Sequence, residues 1–199
     1  MRLIPVLTLV VLAATPLAAQ NPPQNAPQGA AAGGLRAPLS TRATFSIPLA
    51  PPRVQGQPAP TPKMVTIDYG QPHARGREVP TELSKDATIW RTGANTSTTL
   101  KTETDLTIGG VAVPAGNYSL YTIREGGRTL LIINTNTGQW GTEYAADRDL
   151  ARVPLRVRNT VETLESLQIT MVPADNQSAR GTLNIQWGKL HLSTDWSVR

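Results

Sequence analysis

The 199-residue sequence contains no cysteine, one phenylalanine and only two histidines. Without cysteine there is no disulfide, no thiol nucleophile and no thiolate metal site, and the acyl anchor of bacterial lipoproteins is excluded as well. His73 and His191 alone cannot build a histidine-rich metal centre. A carboxylate and carbonyl site for a hard cation remains compatible with the composition, yet no EF-hand-like spacing occurs. Lysine-rich runs are also missing. The formal charge of +5, from 19 basic and 14 acidic residues, gives a mild attraction for anionic partners that salt screens, and nucleic acid binding is not expected. Last among the absences is the helical period, which no segment sustains for three turns.

What the sequence does contain begins with an export pattern. Residues 1–20 open with the basic Arg2, continue with an apolar run from Leu3 to Ala14 and end in small residues. This is the layout of a signal peptide cleaved between Ala18 and Asn21, and the apolar run is too short to span a bilayer comfortably. Residues 21–36 are rich in Pro, Gln, Ala and Gly, with too little apolar surface to offset the entropy of ordering, so they read as a flexible linker. Residues 37–199 then form one domain, expected in the periplasm or outside the cell after cleavage, with no membrane span.

That domain is written in period two. Ala43–Ile47 and Val65–Tyr69 alternate apolar with polar residues, as half-buried strands do, and the proline-rich stretch between them is a long loop. Pro80–Lys85 suggests one helical turn with Thr81 near its start. Strand character returns at Ile89–Thr92 and Thr98–Thr102. Asp105–Ile108 and Val111–Val113 flank Gly109-Gly110, a hairpin turn. Tyr118–Ile123 and the unbroken apolar run Leu130–Ile133 flank Glu125-Gly126-Gly127, and the latter run predicts a central strand covered on both faces. Arg152–Arg158 alternates arginine with Val153, Leu155 and Val157, and with Pro154 it predicts an edge strand blunted against pairing. Leu167, Ile169 and Met171 make another apolar face. Leu183, Ile185 and Trp187 are expected to pair with Leu190 and Leu192 across a tight turn at Gly188-Lys189, leaving His191 facing solvent. Nine or ten short strands with turns every eight to twelve residues define an all-β, antiparallel β-sandwich, with a jelly roll or partly closed barrel as the neighbouring alternative.

Four stretches resemble a family of exported bacterial proteins, the domain of unknown function DUF2911: VTIDYGQPHARGRE at 65–78, WRTGAN at 90–95, DLTIGGVAVPAGNYSLYTI at 105–123 and NTGQWGTEY at 136–144. The similarity continues through RVPLRV to the closing strands near LNIQWG. The resemblance implies a single domain behind a signal peptide. It supplies no activity, cofactor or catalytic residue. The proline-rich insertion around 48–62 departs from the family pattern.

The polar motifs fall in loops and at strand ends, where rigid sandwiches carry their sites. Arg75, Arg77, Arg91 and Asn95 could present donors that match a carboxylate, sulfate or phosphate, while Trp140 and Tyr144 could offer flat faces to a sugar or another planar group, with Glu143 between them. These seven residues are expected to meet at one face or end of the sandwich as a ligand-binding site. Arg91 has a second reading, as a member of an internal ion network with Asp68, Glu78 or Glu143. Trp90 and Trp187 read as core. The function read from this pattern is noncatalytic binding of a polar or anionic small molecule, a glycan or an envelope protein. The alternative is a hydrolase acting on glycan or ester through His73 or a carboxylate pair such as Asp68 and Glu143. No cofactor is implied, because the double glycines make hairpin turns with no helix start behind them to cradle a phosphate.

Overall fold

The computed structural model describes residues 37–175 and 179–199. The expected signal peptide, the linker and the tip of the 174–181 loop lie outside the described residues. The strands are β1 (Ser40–Leu49), β2 (Lys63–Pro72), β3 (Ile89–Trp90), β4 (Thr98–Thr102), β5 (Leu106–Ile108), β6 (Val111–Val113), β7 (Gly116–Glu125), β8 (Arg128–Asn134), β9 (Asp149–Pro154), β10 (Arg156–Pro173) and β11 (Arg180–Val198). A single 3₁₀ turn at Glu82–Ser84 stands where the helical turn was expected, with Thr81 just before it.

Two antiparallel sheets result. The larger has seven strands in the order β1-β2-β4-β7-β8-β9, with β3 also pairing β7; the smaller has the order β10-β11-β5-β6. The sheets face one another as a sandwich, and no barrel closes. Alternation decides the facing. On β2, Val65, Ile67 and Tyr69 are buried, and on β10 so are Leu167, Ile169 and Met171; all six belong to one core. Tyr69 spans the gap: its hydroxyl accepts from the Ile169 amide at 3.2 Å. Trp90 from the larger sheet stacks on Trp187 from the smaller, with ring centroids 6.1 Å apart and 14° between planes. Such a pair adds about 0.5–1.5 kcal/mol to what its burial contributes.

β8 is covered on both sides, as its uninterrupted apolar run requires. Leu131 and Ile133 join the main core, whereas Ile132 joins a second cluster with Tyr121 and Ile123 on the outer face of the larger sheet. The 135–148 loop, carrying Tyr144, supplies part of the cover.

Two expectations need correction. Arg152–Arg158 is not one strand: the chain breaks at Leu155, so Arg152 lies on β9, an edge of the larger sheet, and Arg156 on β10, an edge of the smaller. Val153 and Leu155 are buried but Val157, now in the other sheet and opposite the buried Leu192, is 51% exposed. Arg156 forms a two-point ion pair with Asp195, both contacts at 2.8 Å. The Gly188-Lys189 hairpin does not form either. β11 runs through it as one strand, and Gly188 takes φ 60° as a bulge. That left-handed residue suits glycine, and it shifts the inward set from Leu183, Ile185 and Trp187 to Leu192 and Trp196. The bulge also turns His191 to a half-buried position beside Asn184, with Nε2 2.9 Å from the amide oxygen.

Candidate functional site

The outer face of the larger sheet gathers five of the seven expected site residues. Trp90 is buried inward, so the next residue, Arg91, points outward. Its guanidinium carbon lies 5.9 Å from the centre of the Trp140 ring, within cation–π range, and Nη1 donates to the Asn95 carbonyl at 3.1 Å. That carbonyl also accepts from the Gly141 amide at 2.9 Å. Thr96 forms an isolated bridge with Trp140, so the 91–97 and 139–141 segments are laced together by main chain.

Gly141 is fixed by closeness. A Cβ there would sit 2.4 Å from Arg91 Cδ and 2.7 Å from the Asn95 oxygen. Thr92 and Asn95 both have positive φ, 50° and 64°. For a β-branched residue this is an outlier, of a kind that costs on the order of 1–3 kcal/mol and persists only where its surroundings determine it. Here they do: the buried Thr92 hydroxyl is 2.7 Å from that of Thr122, and its carbonyl accepts from Thr98 Oγ1 at 2.9 Å. The loop is held in one shape, and Arg91 and Asn95 with it.

Beneath the platform lies a polar network. Gln139 Nε2 donates to the Tyr121 hydroxyl at 2.8 Å and to Ser119 Oγ at 3.3 Å, and Ser119 Oγ donates to Ser97 Oγ at 3.1 Å. Tyr121 in turn donates to the Glu143 carbonyl at 3.4 Å, while Glu143 itself is exposed. Tyr144 packs edge-on against Tyr121, with centroids 5.0 Å apart. Its hydroxyl donates to Asp149 at 2.6 Å and accepts from Arg152 at 3.2 Å. Burial first, and then the bond to Asp149, push its pKa up to about 12, so the phenol stays neutral. Tyr144 therefore supports the loop, and Trp140, 49% exposed, is the ring left open to solvent.

The ion network offered as the second reading of Arg91 forms elsewhere. Asp68 is paired with Arg42, and Thr44 Oγ1 donates to it at 2.7 Å. Burial raises the Asp68 pKa, but the hydrogen bonds from Arg42 and Thr44 and the charge of Arg42 outweigh it and leave the carboxyl below its ordinary value. Arg42 also donates to Thr96 Oγ1 at 2.6 Å. It therefore adjoins the platform, as do Gln139 and Tyr121. The sequence singled out none of the three. Gln139 at least sat within the QWG stretch, whereas Arg42 and Tyr121 read as ordinary strand positions.

Arg75 and Arg77 belong to a different neighbourhood. The Arg75 amide donates to Glu165 Oε1 at 2.7 Å and its guanidinium to the Pro38 carbonyl at 2.6 Å. Arg77 donates to the carbonyls of Ala74 and His73. The chain beyond Pro72 meets β10, His73 bridging Ser166 and the Ala74 amide donating to the Glu165 carbonyl, and this carries both arginines away from the platform. His73 Nδ1 lies 2.8 Å from Ser166 Oγ, and Nε2 lies 3.5 Å from Thr41 Oγ1. A base that activates a hydroxyl needs a third group to orient it, and the group at the far nitrogen is a threonine. Among the described residues, no group of three or more His, Asp and Glu is placed to hold a metal ion.

The class defined by fold and site is thus an antiparallel β-sandwich with an arginine–tryptophan platform on the outside of its larger sheet. A family model described as a protein of unknown function (DUF2911) matches residues 52–195, and the chain belongs to that family. No curated protein and no solved structure matches it.

Proposed function

We propose that this is an exported binding module whose platform, Arg91 with Asn95, Trp140 and Glu143, takes a polar ligand carrying an acceptor group and a flat face. The observation that carries the reading is a half-exposed Trp140 ring beside a guanidinium whose hydrogen-bonding partner is a carbonyl. A ligand carboxylate, sulfate or phosphate would meet a guanidinium that makes no ion pair among the described residues, and a ring of the same ligand would stack on the indole. The rigid strained loop supports the reading too, since a site set before binding spends less of its interaction energy on ordering. Export rests on the charged start and apolar run of residues 1–20.

The test is calorimetric titration with an oligogalacturonate, a sulfated disaccharide and neutral maltotriose, after a thermal-shift screen in which ligands of the folded state raise its midpoint. At least one anionic saccharide should bind, more weakly at high salt. Arg91→Ala and Trp140→Ala should each weaken it at least tenfold, about 1.4 kcal/mol, with little change in melting temperature. Equal binding by the variants would overturn the proposal.

A further inference from the structure

A cleft of about 880 Å³ opens where the two sheets part, away from the platform. Its origin lies in the alternation of β10. At its far end the odd-numbered residues Leu167, Ile169 and Met171 point between the sheets and are core. Val157 belongs to the same face, since its cross-strand partner Leu192 is buried, and yet it is half exposed. The 74–84 loop, the β7–β8 hairpin, β10 and the 188–190 stretch of β11 together line an open slot beside it. The slot is of a size that holds a small ligand.

Its chemistry narrows the occupant. The interior is aliphatic, from Val79, Pro80, Leu83, Val157 and Leu190. Around it stand charges of both signs, Arg77, Arg124 and Lys189 against Glu78 and Glu165, with hydroxyl and amide groups such as Thr129 and Asn159. Among the described residues no aromatic ring lines the slot, which disfavours a sugar. Charges and amide-type groups among the lining residues disfavour a long acyl chain. The adjoining backbone adds a second observation. Between Asn159 and Leu164 the ladder to β11 is interrupted: five steps along β10 correspond to two along β11, from Leu190 to Gly188. β10 is also the terminal strand of its sheet, and the chain at His73 and Ala74 pairs with it at Ser166 and Glu165, beside the interrupted stretch. Main chain at a sheet edge is what an extended peptide pairs with.

We propose that this cleft binds a short peptide in extended form, its backbone along the bulged part of β10 and one aliphatic side chain in the interior. The site is independent of the platform. The probe is the pentapeptide Ala-Leu-Ala-Leu-Ala, titrated into ¹⁵N-labelled protein and followed by amide chemical shifts, with sodium decanoate and maltotriose titrated in parallel. The peptide should give saturable shifts confined to residues 157–165, 188–190 and the 74–84 loop. Val157→Lys, at an already exposed position, should weaken it at least tenfold while keeping a folded spectrum, and Thr163→Trp should do the same by filling the slot. Trp140→Ala should leave peptide binding unchanged. Peptide shifts that do not saturate, that fall elsewhere or that survive both cleft substitutions would overturn the proposal, as would decanoate or maltotriose producing those shifts in the peptide's place.

Discussion

Arg91 shows how much a single position depends on its neighbours. Its reach over Trp140 exists because Gly141 leaves room for it and because Thr92 holds a backbone shape that its type disfavours. Gly141→Ala should therefore act beyond its size. The added methyl meets Arg91 Cδ and the Asn95 carbonyl at distances no ordinary contact allows, and overpacking of this kind costs about 1–3 kcal/mol. The expected outcome is a lower melting temperature together with a changed near-ultraviolet circular dichroism signal from Trp140; an unchanged signal would show that the two loops are not interlocked. At this scale the sequence was half legible. WRTGAN and QWG stood out because arginine, asparagine and tryptophan in turns have few structural duties. Arg42, Gln139 and Tyr121 did not, since a residue on a strand shows only its parity, and which loop folds over it is a long-range fact. Arg75 and Arg77 looked like part of the same donor cluster for the converse reason: nothing local reveals that the chain turns to β10 after Pro72.

Strands were more legible than sites, because parity is local. Most strands fall on segments whose alternation or apolar character is plain in the sequence, and the Gly109-Gly110 turn joins β5 to β6 as expected. The exceptions are the break at Leu155 and the continuity of β11, and the second is instructive. A glycine followed by a lysine between two alternating runs has the form of a hairpin turn, but one residue at positive φ also makes a bulge that simply reverses the parity of a continuing strand. Only the partner strand distinguishes the two outcomes, and here β10 accompanies β11 on both sides of Gly188. The Trp90–Trp187 stack depends on the odd parity before the bulge. Trp187→Ala should cost about 3–5 kcal/mol in chemical unfolding, through lost burial and the cavity left behind. A loss under 1 kcal/mol would mean that the indole contributes little to holding the sheets together.

For the molecule as a whole, acid is the informative variable. His191 has its pKa lowered below 6.5, first by burial and then by the charge of Arg158. Asp195 lies below 3.8, chiefly through its hydrogen bonds from Arg156, and Asp68 is also lowered. In every case the unfolded chain takes up the proton first, so stability is present above the unfolded value and is lost as pH falls through the folded one. The melting temperature should be level near neutrality, decline modestly below about 6.5 and decline again below 3.8. His191→Gln should remove the first step, and Asp195→Asn should reduce the second. A melting temperature that rises on acidification would contradict both assignments.

The corner at Leu155 bears on how the molecule would meet a partner. One residue joins the last strand of the larger sheet to the edge of the smaller, and its amide is tied to the Thr129 carbonyl at 2.9 Å. Along that flank the two leaves share a spine, as they also do through the short links from β4 to β5 and from β6 to β7, so main chain resists their parting there. Val157 is two residues past the corner and the Thr129 carbonyl accepts from the corner's Leu155 amide, which puts the slot that Val157 and Thr129 line close to this link. Its width would then scarcely change as the leaves breathe, and a guest would find the opening already cut to size rather than having to pry it apart.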